Sequence, residues 1–119
     1  MTTSTSSWDI VYFHYPPYTS SAVHSSTTYM RWPFKSWGAN VVLSGHVHAY
    51  ERLSEGGLTY FTVLPGGQDP YGFHTPISGS MFRYSGSYGA TLVTATSTKL
   101  DFKTYTTSGH LVQDYSLSK

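Results

Sequence analysis

The sequence predicts a mixed α/β fold, and three features of the chain support this class. Two apolar runs, at residues 9–13 (DIVYF) and 40–44 (NVVLS), are typical of buried strands. Between them, the large side chains of residues 29–37 recur at helical spacing. A tail in which apolar and polar residues alternate predicts an antiparallel meander of strands. The length of 119 residues suits a single domain.

Local signals set the ends of the first two elements. Prolines at positions 16 and 17 stop the first strand, because proline has no amide hydrogen for the next ladder bond. Gly38 follows the helical segment and is placed to cap it. Pro33 lies inside that segment and predicts that the helix is short.

The rest of the chain is expected to form strands around one long loop. A third strand is predicted at residues 58–64 (LTYFTVL), and a loop rich in Gly, Ser, Pro and Tyr extends from Gly66 to about residue 87. Residues 1–7 read as a disordered Ser/Thr-rich leader to a domain at 8–119. The tail strands are predicted at residues 90–96, 99–106 and 111–117.

The composition excludes several classes of protein. A net charge of +1 with 11% charged residues gives no basic face for nucleic acid. The absence of cysteine excludes disulfides and thiolate metal sites. No apolar run approaches the ~20 residues of a membrane span. The first residues lack the basic and apolar regions of a signal peptide, so the compartment stays open.

Histidines follow the first two predicted strands directly. His14 comes after the first strand, and His46 and His48 come after the second, in SGHVH. Because the carboxyl ends of parallel strands meet at one sheet edge, we expect the three imidazoles to converge there. Gly45 would let the backbone turn tightly. The pattern alone fits a metal site and a cluster of polar loop residues equally well.

These blocks resemble a known family. The stretches VYFHYPPY, HSSTTYMRWPFKSWGANVVLSGHVHAYERL and YFTVLPGG are similar to the C-terminal half of the calcineurin-like metallophosphoesterases, closest to the purple acid phosphatase branch. Residues 11–14 match its V-x-x-H block and residues 45–48 its G-H-x-H block. The resemblance implies half of a β-sandwich, with strand, helix and strand followed by an antiparallel meander.

The resemblance assigns roles to four histidines. It implies that His14 and His46 bind the divalent ion of a two-metal pair, and that His48 binds the other ion. The pair in such enzymes is iron with zinc, manganese or a second iron. His24 would contact the substrate phosphate or protonate the leaving group, although a solvated loop histidine fits its sequence equally well. We expect support of the histidine loop from Gly45, Tyr50, Glu51 and Arg52.

The function that follows is hydrolysis of phosphate monoesters, with phosphodiesterase action as the alternative. Two cations in such a site lower the pKa of water and neutralise the phosphoryl group. The family resemblance also suggests an extracellular or periplasmic location. A different reading of the 11 tyrosines is a non-catalytic module that binds glycans.

The family's upstream blocks, G-D-x-G, G-D-x-x-Y and G-N-H-[DE], do not occur in this sequence. None of the four aspartates follows a glycine, and the only asparagine, Asn40, does not precede a histidine. A bridging carboxylate is therefore missing. We expect a histidine-bearing half that needs the N-terminal half of its domain as partner, binds at most one ion weakly, and is inactive alone. The alternative is a short protein that has lost catalysis.

Overall fold

Two β-sheets build the protein, and the computed structural model describes residues 3–119. The strands are β1 (Ile10–Phe13), β2 (Val41–Ser44), β3 (Tyr50–Glu55), β4 (Leu58–Thr62), β5 (Ser80–Tyr84), β6 (Gly89–Ala95), β7 (Lys99–Thr106) and β8 (Leu111–Ser118). The first five form a mixed sheet in the order β1-β2-β4-β3-β5, and the last three form a separate sheet in the order β6-β7-β8. The antiparallel meander predicted for the tail is confirmed.

The mixed sheet has a parallel core. Strand β2 pairs in parallel with β1 on one side, with Val41 opposite Ile10, and with β4 on the other, with Val41 opposite Thr59. The predicted parallel pairing of the first two strands is therefore confirmed. Because β1, β2 and β4 run the same way, the loops that follow all three leave from one edge of the sheet.

The helix predicted at residues 29–37 is wrong. In its place the chain forms one short 3₁₀ turn, Thr28–Met30, and a further turn that ends at Gly38. There the Ala39 amide donates to the Phe34 carbonyl at 3.0 Å, and Gly38 takes a φ of 99°. These are the hydrogen bond and the glycine conformation typical of a helix C-terminus, although no α-helix precedes them. Pro33 explains the loss, because it lacks the amide hydrogen that would join the two turns.

Two strands, β3 and β5, were not predicted from the sequence. Strand β3 pairs antiparallel with β4 through a hairpin whose loop is Gly56 and Gly57, and with β5 on its other side. Both glycines have positive φ, 58° and 76°, which a tight two-residue hairpin loop requires. The Gly-Gly pair was thus a readable hairpin signal, since an apolar run follows it directly.

The mixed sheet is covered on both faces. Val42 packs in a cluster with Phe34 of the crossover, whereas Val41 packs in a second cluster with Phe102 of the other sheet. Both valines are fully buried. The ring centroids of Phe61 and Phe102 lie 4.8 Å apart, and this contact joins the two sheets. A strand buried on both faces explains why β2 reads as an unbroken apolar run.

The β1 end of the sheet is less covered. Strand β1 has β2 as its one neighbour, and Tyr12 is 79% exposed. The leader predicted at residues 1–7 begins outside the described residues, and its described part, residues 3–7, is exposed. Over the described range, the structure has no helix of the length and apolar character needed to cross a membrane.

Candidate metal centre

Parallel pairing of β1 and β2 brings His14 and His46 together. Phe13 pairs with Ser44 at the ends of the two strands, and the Gly45 amide donates to the His14 carbonyl at 3.1 Å. The side chains then meet, with Nε2 of His14 3.2 Å from Nδ1 of His46. Thirty-two residues of chain separate them. Their contact is therefore a product of the sheet, as the sequence predicted.

The backbone of the G-H-x-H loop is strained at its two histidines. His46 has a φ of 69° and His48 a φ of 52°, in the left-handed region that side chains other than glycine rarely adopt. The turn expected at Gly45 therefore falls on the histidines, and Gly45 is not among the glycines with positive φ. A Cβ at Gly45 would lie 3.9 Å from Nδ1 of His14, an ordinary van der Waals distance, so the ring leaves room for a small side chain there. Strain of this kind is concentrated at functional sites.

His48 is oriented by a contact from the loop after β4. Its Nδ1 lies 2.8 Å from the carbonyl oxygen of Asp69. Because a carbonyl only accepts, Nδ1 carries the proton and the lone pair of the neutral ring is on Nε2. Tyr71 stacks on the ring at a centroid distance of 4.2 Å. Metal-binding histidines are commonly held in this way by a carbonyl on the other nitrogen.

His24 also reaches the cluster, from the loop between β1 and β2. Its ring lies 4.0 Å from that of His46, measured between centroids. The hydroxyl of Ser21 accepts from the amides of Val23 and His24, at 3.2 and 3.3 Å, and this turn presents His24 towards the sheet edge. The side chain is thus a neighbour of the centre, as its predicted role requires.

The surroundings of His46 favour its neutral imidazole. Burial lowers the pKa of His46 below its ordinary value of 6.5, and repulsion from His24, His14 and His48 lowers it further, in that order. A neutral imidazole is the form that binds a metal ion, since its lone pair is free. Burial, together with the crowding of four histidines, therefore favours the form of His46 that can bind a metal ion.

The donor chemistry fits a metal ion, and the shell is partial. Two nitrogens bound to one zinc ion at about 2.0–2.1 Å with tetrahedral geometry lie roughly 3.3 Å apart. Nε2 of His14 and Nδ1 of His46, at 3.2 Å, have close to this spacing. Within residues 3–119, no group of three or more His, Cys, Asp or Glu side chains is placed to hold an ion together. The centre therefore supplies a pair of nitrogens that other ligands must complete.

The residues expected to support the histidine loop make their side-chain bonds elsewhere. Tyr50 donates to Oε1 of Gln113 at 2.6 Å, and Arg52 donates to the same atom at 3.3 Å, so both join β3 to β8. Glu51 is fully buried and accepts from the Ser20 amide at 2.8 Å. Glu51 thus holds the segment that leads to His24, and not the loop of His46 and His48.

Sequence reasoning missed three neighbours of the centre. Asp69 and Tyr71 contact His48, and the ring of Tyr15 lies 4.6 Å from that of His46. A signal for the first two was present, because Gly66 and Gly67 follow a predicted strand. Once that strand is placed parallel to the second, its loop must arrive at the same edge.

The comparisons with known proteins agree with this geometry. Residues 3–50, a stretch that contains all four histidines of the cluster, match the sequence model of the calcineurin-like phosphoesterase family. The structure superposes on the purple acid phosphatase PPD1 isolated from yellow lupin (Lupinus luteus) seeds with a TM-score of 0.80, at 19% identity over 93% of this chain. This chain has the fold of a purple acid phosphatase-type metallophosphoesterase. The resemblance inferred from the histidine blocks is confirmed at the level of fold.

A second solved structure has the same degree of likeness. It is GAP50, described as the anchor in the inner membrane complex of Plasmodium, with a TM-score of 0.80 at 20% identity over 94% of this chain. The chain covers 36% of GAP50 and 25% of the lupin phosphatase, so it spans about a third and a quarter of their lengths. No curated protein sequence matches the chain.

Proposed function

We propose that this chain carries the histidine ligands of a two-metal enzyme that hydrolyses phosphate monoesters, of acid phosphatase type. The observation that carries the proposal is the 3.2 Å approach of His14 Nε2 and His46 Nδ1 at the carboxyl ends of two parallel strands. Support comes from the match of residues 3–50 to the calcineurin-like phosphoesterase family.

Each histidine has a distinct part in this proposal. His14 and His46 bind the divalent ion, zinc, manganese or iron, through the two facing nitrogens. His48 binds the other ion, iron in purple enzymes, through Nε2, because its Nδ1 is committed to the Asp69 carbonyl. Bound ions supply the positive charge that neutralises a phosphoryl group and activates water for attack.

His24 is proposed as the proton donor. It lies beside His46, yet its backbone belongs to a different loop, so its imidazole can face a substrate phosphate held at the centre. A protonated His24 would donate to the departing alkoxide oxygen or to a phosphoryl oxygen. Either contact strengthens as negative charge develops in the transition state.

The bridging carboxylate must come from another segment of polypeptide, the N-terminal half of the same fold. Two imidazoles on one ion and one on the other leave both shells incomplete, since a catalytic zinc site has three protein ligands. We therefore expect the 119-residue chain to bind at most one ion, weakly, and to turn over phosphate esters slowly or not at all.

Calorimetric titration of the chain with Zn²⁺ tests the ligand assignment. The wild-type chain should bind one equivalent, and His14→Ala and His46→Ala should each weaken binding at least tenfold, since each removes half of the pair. His110→Ala is the matched control, because His110 lies exposed in the turn between β7 and β8. Equal affinity in all four proteins would contradict the assignment. Rapid hydrolysis of p-nitrophenyl phosphate, lost in His46→Ala, would contradict the incomplete shell.

Three alternatives to this proposal make different predictions. A phosphodiesterase would use the same centre, and a preference for bis(p-nitrophenyl) phosphate by the complete enzyme would favour it. The likeness to GAP50, described as an anchor, favours a non-catalytic binding role. Absence of zinc binding together with a stable fold would support that second role. Retention on a polysaccharide without metal would instead support the glycan-binding module.

A further inference from the structure

A cavity of about 510 Å³ opens directly beside the histidine cluster. Four consecutive hydroxyl residues, 25–28, form one wall, and Tyr15 and Tyr29 flank it. His24 and His46 close the end that faces the candidate metal centre. We call this space the hydroxyl pocket. A phosphate held at the histidines would direct its ester substituent into it.

The charge of the hydroxyl pocket limits what the substituent can be. Apart from the two histidines, its lining residues are serines, threonines and tyrosines, and none carries a formal charge at neutral pH. A second phosphate or a carboxylate on the substrate would thus find no lysine or arginine to pair with. Because a charged substituent would gain no ion pair from this lining, whereas a neutral one can use its hydroxyls, the lining favours a neutral leaving group.

The wall offers free hydrogen-bonding groups. Ser26 is used internally, as its Oγ accepts from the Thr19 amide at 3.0 Å and donates to the Thr19 carbonyl. By contrast, the hydroxyls of Ser25, Thr27 and Thr28 make no hydrogen bond to any other residue in the described part of the chain. A ligand that itself carries hydroxyl groups can both donate to and accept from them.

The two tyrosines supply flat apolar surfaces at the sides of the hydroxyl pocket. Tyr29 is 73% exposed and Tyr15 is 46% exposed, so both rings are available to a ligand. An aromatic ring packs well against the C–H face of a sugar ring, while its phenol oxygen stays in water. A wall of hydroxyls beside aromatic faces matches a ring that is polar at its edge and apolar on its face.

We propose that the substrate is a sugar monophosphate, with the sugar seated in the hydroxyl pocket as the neutral leaving group. This inference rests on the proposed function. In the reaction, water adds to phosphorus and releases a proton to solvent, the P–O bond to the sugar oxygen breaks, and that oxygen takes a proton from His24. Solvent then restores the proton of His24. The products are the free sugar and inorganic phosphate.

The test compares two ligands with the same phosphate and different substituents. Glucose 6-phosphate and methyl phosphate are titrated into the full chain with Zn²⁺ present, and binding is followed by amide NMR. Glucose 6-phosphate should bind about tenfold more tightly, the effect of one or two hydrogen bonds and a ring contact. Thr28→Val and Tyr29→Ala should each move the ratio of the two affinities towards one. Tyr88→Ala, at a tyrosine outside the hydroxyl pocket, should leave the ratio unchanged.

The outcomes separate this inference from the proposed function. Equal affinity of the wild-type chain for the two ligands overturns the sugar assignment and leaves the phosphatase proposal standing. Tighter binding of fructose 1,6-bisphosphate than of glucose 6-phosphate overturns the neutral leaving group in the same way. Failure of both monophosphates to bind, under conditions where calorimetry shows the zinc ion bound, contradicts the proposed function, and this inference with it. Because Thr28 and Tyr29 are exposed, both variants should fold.

Discussion

Glu51 is the most deeply buried charged residue in the described part of the chain. Its carboxylate has no exposed surface and receives hydrogen bonds from the Ser20 amide, the Thr19 hydroxyl and the Ser80 hydroxyl. Ser20 is followed by the turn that presents His24. A buried acceptor of this kind ties the position of a candidate proton donor to the interior of the mixed sheet.

Glu51→Ala should lower the free energy of unfolding by about 2–3 kcal/mol, because it leaves buried donors without an acceptor. Glu51→Gln keeps the shape and one acceptor oxygen, and should cost roughly half as much. Urea denaturation measures both, and hydrogen exchange at the Ser20 amide should accelerate in the alanine variant. Glu55→Gln, also on β3, is the control. A loss no larger than that of the control would contradict the role given to Glu51.

From the left-handed backbone at His46 we predict the relative stability of alanine and glycine variants at this position. At most positions alanine is the more stabilising of the two, but at a φ of 69° its Cβ meets the following carbonyl. His46→Gly should therefore be more stable than His46→Ala by about 1 kcal/mol. Thermal unfolding of the two variants gives the comparison, and both lack the imidazole. The usual order, with alanine ahead, would show that the backbone strain is absent.

At the scale of elements, the three-stranded sheet is joined across β7 and β8 by a polar network. Lys103 and Ser116 both donate hydrogen bonds to the carboxylate of Asp101. The hydrogen bond from Lys103, followed by that from Ser116, holds the pKa of Asp101 well below its ordinary value. The same contact raises the pKa of Lys103. The network connects the ends of strands that carry no part of the histidine cluster.

The lowered pKa of Asp101 predicts that the stability of this sheet decreases in acid. A carboxyl whose folded pKa is below its unfolded value stabilises the fold above the unfolded pKa, about 3.9. That contribution is lost as the pH falls from there through the folded pKa. Asp101→Asn should thus lower stability at pH 7 and flatten its decline in acid, measured by urea denaturation from pH 7 to pH 2. Asp114→Asn, at a more exposed partner of Lys103, should change the profile less.

At the scale of the whole molecule, the mixed sheet ends at β1, and no strand formed by residues 3–119 lies beyond it. Val11 and Phe13 pack on one of the two core clusters, whereas Tyr12 is 79% exposed and Ile10 is 37% exposed. The unpaired backbone of an edge strand, next to exposed apolar side chains, is a template for pairing with another chain.

We expect the chain made alone to associate through β1 at high concentration. Sedimentation velocity over a range of concentrations should show species larger than the 13.2 kDa monomer. Tyr12→Lys places a charge on the edge and should shift the distribution towards the monomer. Leu92→Lys, on the exposed face of β6, is the matched control. A monodisperse monomer with a sharp thermal transition would contradict an incomplete sheet.

Much of the fold could be predicted from sequence because its signals are local. The apolar runs of β1, β2 and β4 and the alternation of β6, β7 and β8 each reflect which faces of a strand are buried. Strand β3 was missed because YERLSE contains a buried charge, Glu51, whose partners lie on other elements. The helix at residues 29–37 was predicted from spacing, and Pro33 prevented it.

The sequence by itself determined that His14, His46 and His48 follow strands whose carboxyl ends meet, since a parallel sheet has one such edge. Only the tertiary structure decided how the centre is built. The contact of His24 with His46 and of Asp69 with His48 depends on loops whose paths are set by packing against the sheet. The tertiary structure also decides the left-handed backbone at His46 and His48, because contacts with neighbouring segments must hold a conformation that the local chain disfavours.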